Sequence, residues 1–320
     1  MPRTLTRMRV LFASLASVGH TYPLIPLAKA ARDVGHEVHF AVGEEVHPPL
    51  AANGLNPFRP ADAFYEIYAE DLAPELERLR PDLVIHEWGL PGAATAARAA
   101  GIPGLWHGFG RMYPEGIGLE RPVGGTHLDI CPPSLQDKDW REPRIPLRPV
   151  PFAEPGETFR GPLIYLTLGT AFGTTALLTT AIEGLAKLGK PVVVATGRID
   201  PRDLGPFPAN VTARKWLPQA DLLPHADLVV HHGGSGTTLG ALAAGVPQLV
   251  LPQGADQFAN AAALTGAGAA ITVTDVSAIA DDAAAIGAGH RDAARALADE
   301  IARLPAPDDV ARQLPDLAGS

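Results

Sequence analysis

The chain has 320 residues, enough for two ordinary domains with cores of their own, and its 46% hydrophobic and 19% charged residues are those of a soluble globular protein. A formal net charge of −9 argues against a nucleic-acid or anionic-membrane partner, so any bound phosphate must be held by local dipoles and a few donors. Cys131 is the single cysteine, which excludes an intrachain disulfide and fits a reducing cytoplasm or simple indifference to redox.

The basic N-terminus leads into an apolar run too short for a secretory signal, and no run reaches the roughly eighteen apolar residues of a membrane span. Residues 10–14 read as a buried strand that ends at Gly19-His20. Apolar spacing over 24–34 predicts a helix closed by Gly35-His36. Strands follow at 37–42 and 82–86, and helices at 72–80 and 93–100, the last stopped by Gly101-Ile102-Pro103. Strands alternating with helices specify a parallel sheet covered on both faces. From Arg141 to Pro151 the chain carries four prolines, which rules out a helix or a central strand and predicts an interdomain linker. The alternation then restarts, with strands at 163–168, 192–196, 228–231 and 248–251 and helices at 177–188, 237–244, 261–266 and 291–303. The expected organisation is a first domain over 1–143, a linker over 144–161 and a second domain over 162–320, with the last helix open to a return to the first. Ligands of such sheets bind beyond the carboxyl ends of the strands, and the cleft between two of them is the default site.

The strongest local signal is His231-His232-Gly233-Gly234-Ser235-Gly236-Thr237-Thr238, which follows an apolar strand and opens a helix. Uncapped N–H groups and the helix dipole attract an anion there. The glycines let the backbone approach it, and Ser235, Thr237 and Thr238 add hydroxyl donors. A bare glycine turn would merely connect strand to helix; two histidines and three hydroxyls at a strand's carboxyl end favour the anion site. The run is not a P-loop, because the Gly-Lys-Ser/Thr ending is absent. Trp216-Leu217-Pro218-Gln219 lies upstream, with an aromatic that can stack on a nucleobase. Pro252-Gln253-Gly254-Ala255-Asp256-Gln257 lies downstream, with side chains suited to sugar hydroxyls. Alone, each is a weak signal: an isolated Trp is more often core, and an Asp-Gln pair is usually a solvated loop.

Taken in order, and with Gly245-Val246-Pro247, Asn260-Ala261 and the opening run Ser17-Val18-Gly19-His20-Thr21-Tyr22-Pro23-Leu24, these elements resemble the GT-B glycosyltransferases. The likeness is to the family-1 enzymes that decorate antibiotics and other natural products in bacteria. It extends over nearly the whole chain and implies two Rossmann-like domains facing across a cleft. The first would bind an aglycone and the second a nucleotide sugar. In that family the histidine beside the glycines contacts the diphosphate; counting back from Pro247 gives this role to His232 rather than His231. Gly234, Ser235, Gly236 and Thr237 fall beside it, and Gly169-Thr170 matches a second phosphate-facing turn. Trp216 would stack on the base, Leu217 and Gln219 would belong to the same donor loop, and Asp256 and Gln257 would hold the sugar. His20 is the expected general base, since a neutral imidazole can take a hydroxyl proton near neutral pH. Glu87 is its acidic partner, where Asp is common in the family. His86 and His107, near strand ends, are candidate acceptor-pocket residues or equally structural ones.

Relatives that use UDP-sugars commonly carry a Glu eight residues after the phosphate histidine, gripping both ribose hydroxyls; here that position is Gly240. A deoxythymidine nucleotide loses little by this, so the expected donor is a dTDP-deoxysugar. The expected reaction is inverting transfer of a hexosyl or deoxyhexosyl group, with no cofactor and no metal. A homodimer is a candidate assembly. Alternatives are a nucleotide-sugar epimerase of the same fold and a catalytically silent nucleotide-binding auxiliary protein. Residues 58–71 and 112–127, which in the family carry helices and loops over the acceptor, are short here. That leaves either an unusually open acceptor pocket or an incomplete chain.

Overall fold

The computed structural model describes residues 7–61, 63–152, 158–169 and 173–319, which form two compact units. The first is built on β1 (Arg9–Ala13), α1 (Val18–Thr21), α2 (Ile25–Asp33), β2 (Glu37–Ala41), α3 (His47–Ala52), β3 (Asn56–Phe58), α4 (Ala69–Leu79), β4 (Leu83–Glu87), α5 (Pro91–Ala99), β5 (Gly104–His107), β6 (Thr126–Asp129) and β7 (Arg144–Pro146). Its strands form a seven-stranded sheet in the order β3-β2-β1-β4-β5-β6-β7. Every pairing is parallel. Strands covered on both faces are apolar throughout rather than alternating. Val10, Leu11, Phe12 and Ala13 are accordingly all fully buried, as are Leu83, Val84 and Ile85.

The second unit runs through β8 (Leu163–Thr167), α6 (Thr175–Ala186), β9 (Val192–Ala195), β10 (Val211–Arg214), α7 (Gln219–Leu222), β11 (Ala226–His231), α8 (Ser235–Ala243), β12 (Gln248–Val250), α9 (Gln257–Gly266), β13 (Ala270–Thr272), α10 (Ile279–Ala285) and α11 (Ala288–Arg303). Its six strands, again all parallel, are ordered β10-β9-β8-β11-β12-β13. Both sheets therefore reverse their winding once, between β1 and β4 in the first and between β8 and β11 in the second. Such a reversal opens a crevice beyond the strand ends, where ligands of this architecture bind.

Two stretches beyond residue 143 belong to the first unit. The proline-rich segment is not wholly a linker: β7 pairs with β6 at the sheet edge, and residues 144–152 belong to the first unit. An edge position tolerates prolines because one side of the strand needs no donors. The tail from Leu304 onward, including α12 (Pro307–Ala318), also belongs to the first unit, where α12 packs on α2. Arg148 N–H and Nε donate to Pro305 O and Leu304 O at 2.8 and 3.0 Å, which joins the two segments.

Buried His36 ties α12 to the sheet. Its Nδ1 accepts from Met8 N–H at 3.2 Å and its Nε2 bonds Ala311 O at 3.2 Å. A His36→Leu variant leaves a buried donor and a buried acceptor unmade, and is expected to lose about 2–4 kcal/mol of stability. A urea midpoint equal to that of the unaltered protein would show that the bridge contributes nothing.

Candidate active site

In the first unit the crevice between β1 and β4 is lined by the loop after β1 and by the last residue of β4. The loop turns into α1, which carries His20. Thr21 fixes the turn: its hydroxyl lies 2.9 Å from Ser14 Oγ and donates to Leu15 O at 3.0 Å. Glu87 ends β4 with its side chain fully buried, and His20 Nδ1 lies 3.2 Å from Glu87 Oε2. Two backbone amides also converge on the carboxylate, Leu15 N–H on Oε1 at 3.3 Å and Gly89 N–H on Oε2 at 2.6 Å. An acceptor-only carboxylate suits three donors, and it selects the tautomer of His20 that carries its proton on Nδ1 and its lone pair on Nε2. The imidazole is one-fifth exposed, and the edge of the Phe109 ring meets it at a centroid distance of 5.0 Å.

Phe109 is a neighbour that no sequence motif announced. It belongs to a buried cluster with Trp88, Trp106, Met112, Tyr113 and Trp140. His86 and His107 lie inside this unit rather than on an open surface, 2% and 0% exposed. His86 sits edge-on to Trp106 at 4.3 Å, and His107 Nδ1 bonds Gly108 O at 2.7 Å. Burial holds His86 at a pKa of about 3 and His107 at about 4, so both are neutral.

In the second unit the turns after β8 and β11 interlock at the sheet's reversal. His232 is packed between two glycines: a Cβ on Gly169 would lie 2.6 Å from its Cε1, and one on Gly234 would lie 2.5 Å from its Nε2. Gly169 also has φ +69°, so glycine is required there twice over. Burial, opposed by the Thr167 backbone, lowers the His232 pKa to about 4, leaving a neutral imidazole. Thr170 lies outside the described residues.

Gly234 caps α8 without a side chain, and the first intrahelical bond is Thr238 N–H to Gly234 O at 3.0 Å. The amides of Ser235, Gly236 and Thr237 therefore precede the helix's own ladder, where its dipole is positive. A Cβ on Gly236 would meet nothing within 4 Å, so the turn is open there. Gln219 and Thr237 bond each other through their side chains at 3.3 Å. Trp216 is 49% exposed, whereas Leu217 is 2% exposed and packs in the core. The Leu217 side chain thus anchors the loop to the core.

Asp256 Oδ2 accepts from Ser235 Oγ at 3.1 Å and from Asn260 Nδ2 at 2.9 Å. Gln257 is buried, and its carboxamide oxygen is turned onto the backbone, accepting from Gln253 N–H at 2.8 Å and Gly254 N–H at 3.3 Å. It shapes the 253–254 loop beside Asp256. Asn260, quoted only as part of a motif, also donates to Gly233 O at 2.8 Å. Its i,i+4 spacing from Asp256 was the signal that could have placed it in the site.

Among the described residues no group of three or more His, Cys, Asp or Glu is placed to share a metal ion, and no helix is long and apolar enough to cross a membrane. Residues 179–317 match the family model for the C-terminal domain of erythromycin biosynthesis protein CIII-like proteins. Over 375 aligned positions the chain is 34% identical to L-demethylnoviosyl transferase of Streptomyces niveus, covering 96% of this chain and 97% of that protein. The aligned length exceeds the 320 residues here, so that relative carries internal residues for which this chain has none. The crystal structure of the glycosyltransferase SnogD from Streptomyces nogalater superposes with a TM-score of 0.84 at 29% identity, covering 98% of this chain and all of that one. SsfS6, a glycosyltransferase of Streptomyces sp. SF2575 crystallised with thymidine diphosphate, superposes with a TM-score of 0.80 at 28% identity, covering 97% and 100%. With both sheets, both turns and the relatives in agreement, the chain belongs to the family-1 natural-product glycosyltransferases of the GT-B fold.

Proposed function

We propose that this glycosyltransferase moves a deoxysugar from a dTDP-sugar onto a hydroxyl of a small natural-product aglycone, with inversion at the anomeric carbon. The observation that carries the reading is the His20–Glu87 bond at 3.2 Å. His20 Nε2 takes the acceptor proton, the freed oxygen bonds to the anomeric carbon, and the bond to the diphosphate breaks on the opposite face. Glu87 stabilises the imidazolium that forms. The start of α8, with His232 beside it, receives the charge that builds on the leaving diphosphate, so the scheme needs no metal. Asp256 holds sugar hydroxyls and Trp216 stacks on the base. Thymidine diphosphate in SsfS6 supports the donor class. So does Gly240, which stands where a ribose-gripping carboxylate would favour UDP by about 1.5–3 kcal/mol. The lone buried Cys131 suits work in a reducing cytoplasm.

The test is incubation with dTDP- and UDP-sugars, with and without a panel of aglycones, followed by mass spectrometry. A glycoside is expected only when an aglycone is present, and UDP is expected to bind no tighter than dTDP. A changed sugar without an aglycone would make the protein an epimerase, and binding with no product at all would make it an auxiliary protein.

A further inference from the structure

The diphosphate turn works only if its amides are aimed, and its central residue is clamped at both ends. Gly233 has φ +95°, and a Cβ there would lie 3.0 Å from both Gln257 O and Val250 Cγ1, so the turn closes on glycine alone. Its carbonyl accepts from Asn260 Nδ2 at 2.8 Å. Its N–H donates to His231 Nδ1 at 3.1 Å, and the other ring nitrogen of His231 bonds Gln248 Oε1 at 2.7 Å. Gln248 Nε2 in turn donates to Thr238 O in the first turn of α8, at 3.4 Å. This orientation of the carboxamide forces the His231 proton onto Nε2 and leaves Nδ1 as an acceptor. All three groups are buried, and His231 and Gln248 are fully so.

We propose that His231 and Gln248 are a positioning relay for the donor diphosphate. Gln248 selects the tautomer of His231, and His231 holds the Gly233 amide so that the amides from Gly234 onward face the phosphates. His231 touches no substrate. The proposal rests on the donor reading given above and deepens it. Burial, then the neighbouring His232, push the His231 pKa down to about 3, so the ring stays neutral, as an acceptor at Nδ1 must be. A histidine left merely to fill space would carry neither bond.

Three replacements separate the two contacts. The carboxamide oxygen of His231→Asn falls near Nδ1 and can accept from Gly233 N–H. His231→Gln reaches instead toward Nε2 and Gln248, while His231→Leu makes neither contact. Titration of each folded variant with dTDP and with UDP is expected to leave His231→Asn within about three-fold of the unaltered protein. His231→Gln and His231→Leu are expected to bind roughly ten-fold or more weakly, the usual effect of losing one buried hydrogen bond. In steady state the donor KM rises and the acceptor KM does not. Thermal melts check folding, and if His231→Leu does not fold the Asn–Gln contrast still decides. Equal binding by Asn and Gln variants, or unchanged binding by all, overturns the relay while leaving the donor site standing. Failure of the unaltered protein to bind either nucleotide overturns both.

Discussion

His20→Ala is expected to lower the transfer rate by about 10²–10⁴-fold while leaving the dissociation constant for dTDP within about two-fold, because a general base acts on the acceptor and not on the donor. Glu87→Gln should come close to the same loss for a different reason. The carboxylate receives Leu15 N–H on one oxygen, and Gly89 N–H and His20 Nδ1 on the other. A carboxamide has one oxygen, so whichever way it is turned its NH2 opposes a buried donor. If the NH2 faces His20, the imidazole is driven to the opposite tautomer and Nε2 no longer holds the lone pair. If it faces Leu15, a buried N–H loses its partner at about 1–3 kcal/mol. The urea midpoint of Glu87→Gln should therefore fall along with its rate. The double variant should be no slower than His20→Ala alone, since the two side chains act as one unit. Single-turnover transfer assays beside dTDP titrations measure both effects. Turnover that survives in His20→Ala would remove His20 from the chemistry.

The second large effect is on acid stability. In the first unit burial lowers His86 to about 3 and both His107 and His127 to about 4. In the second it lowers His231 to about 3 and His232 to about 4. A histidine unfolded at a pKa near 6.5 binds protons that its folded form refuses, so stability is complete above that value and falls as the pH drops toward the folded pKa. Each histidine contributes up to about 1.4 kcal/mol per pH unit. Asp129 acts with the opposite sign: burial raises it to about 6, so its protonation on acidification relieves part of the loss. The net expectation for the first unit is a loss of about 4 kcal/mol between pH 7 and pH 5, a large share of the whole stability of an ordinary domain. Urea midpoints measured from pH 7.5 to pH 5 should fall steeply, and a flat profile would mean that these rings are hydrated in the native protein.

What the sequence made legible follows from where the information sits. Central strands that are unbroken aliphatic runs announced themselves, and the predicted 163–168 strand is β8, Leu163–Thr167, whereas β5 (Gly-Leu-Trp-His) and β6 (Thr-His-Leu-Asp), also inside the first sheet, went unpredicted because they carry no such run. The edge strands did not announce themselves either. β3 is Asn-Pro-Phe and β7 is Arg-Ile-Pro, three residues each, and such segments are strands only because a neighbour offers its ladder. α12 went unpredicted because Pro307 and Pro315 disguise its period, although Pro307 opens it and its face of Val310, Ala311 and Leu314 is buried.

At the candidate site, His20, Glu87 and the glycine turn could be named from type and order. The Gln248 bond to His231 could not. Their strands pair with His231 opposite Val250 and Gln248 opposite Val229, so the bond crosses the ladder diagonally, in a register no local pattern prints. The inward turn of Leu217 could not be read either, since a motif says which residues travel together but not which of them faces inward.

The return of the tail has a consequence for how this protein is made. Because Leu304 onward completes the first unit, packing α12 on α2 and meeting His36 through Ala311, that unit cannot finish on the ribosome while the second is being synthesised. The half translated first is sealed last, and until α12 emerges the face of α2 that it will cover is open to chaperones. A chimera that exchanges the second unit between relatives would need two crossovers, one near residue 152 and one near residue 304, rather than a single cut.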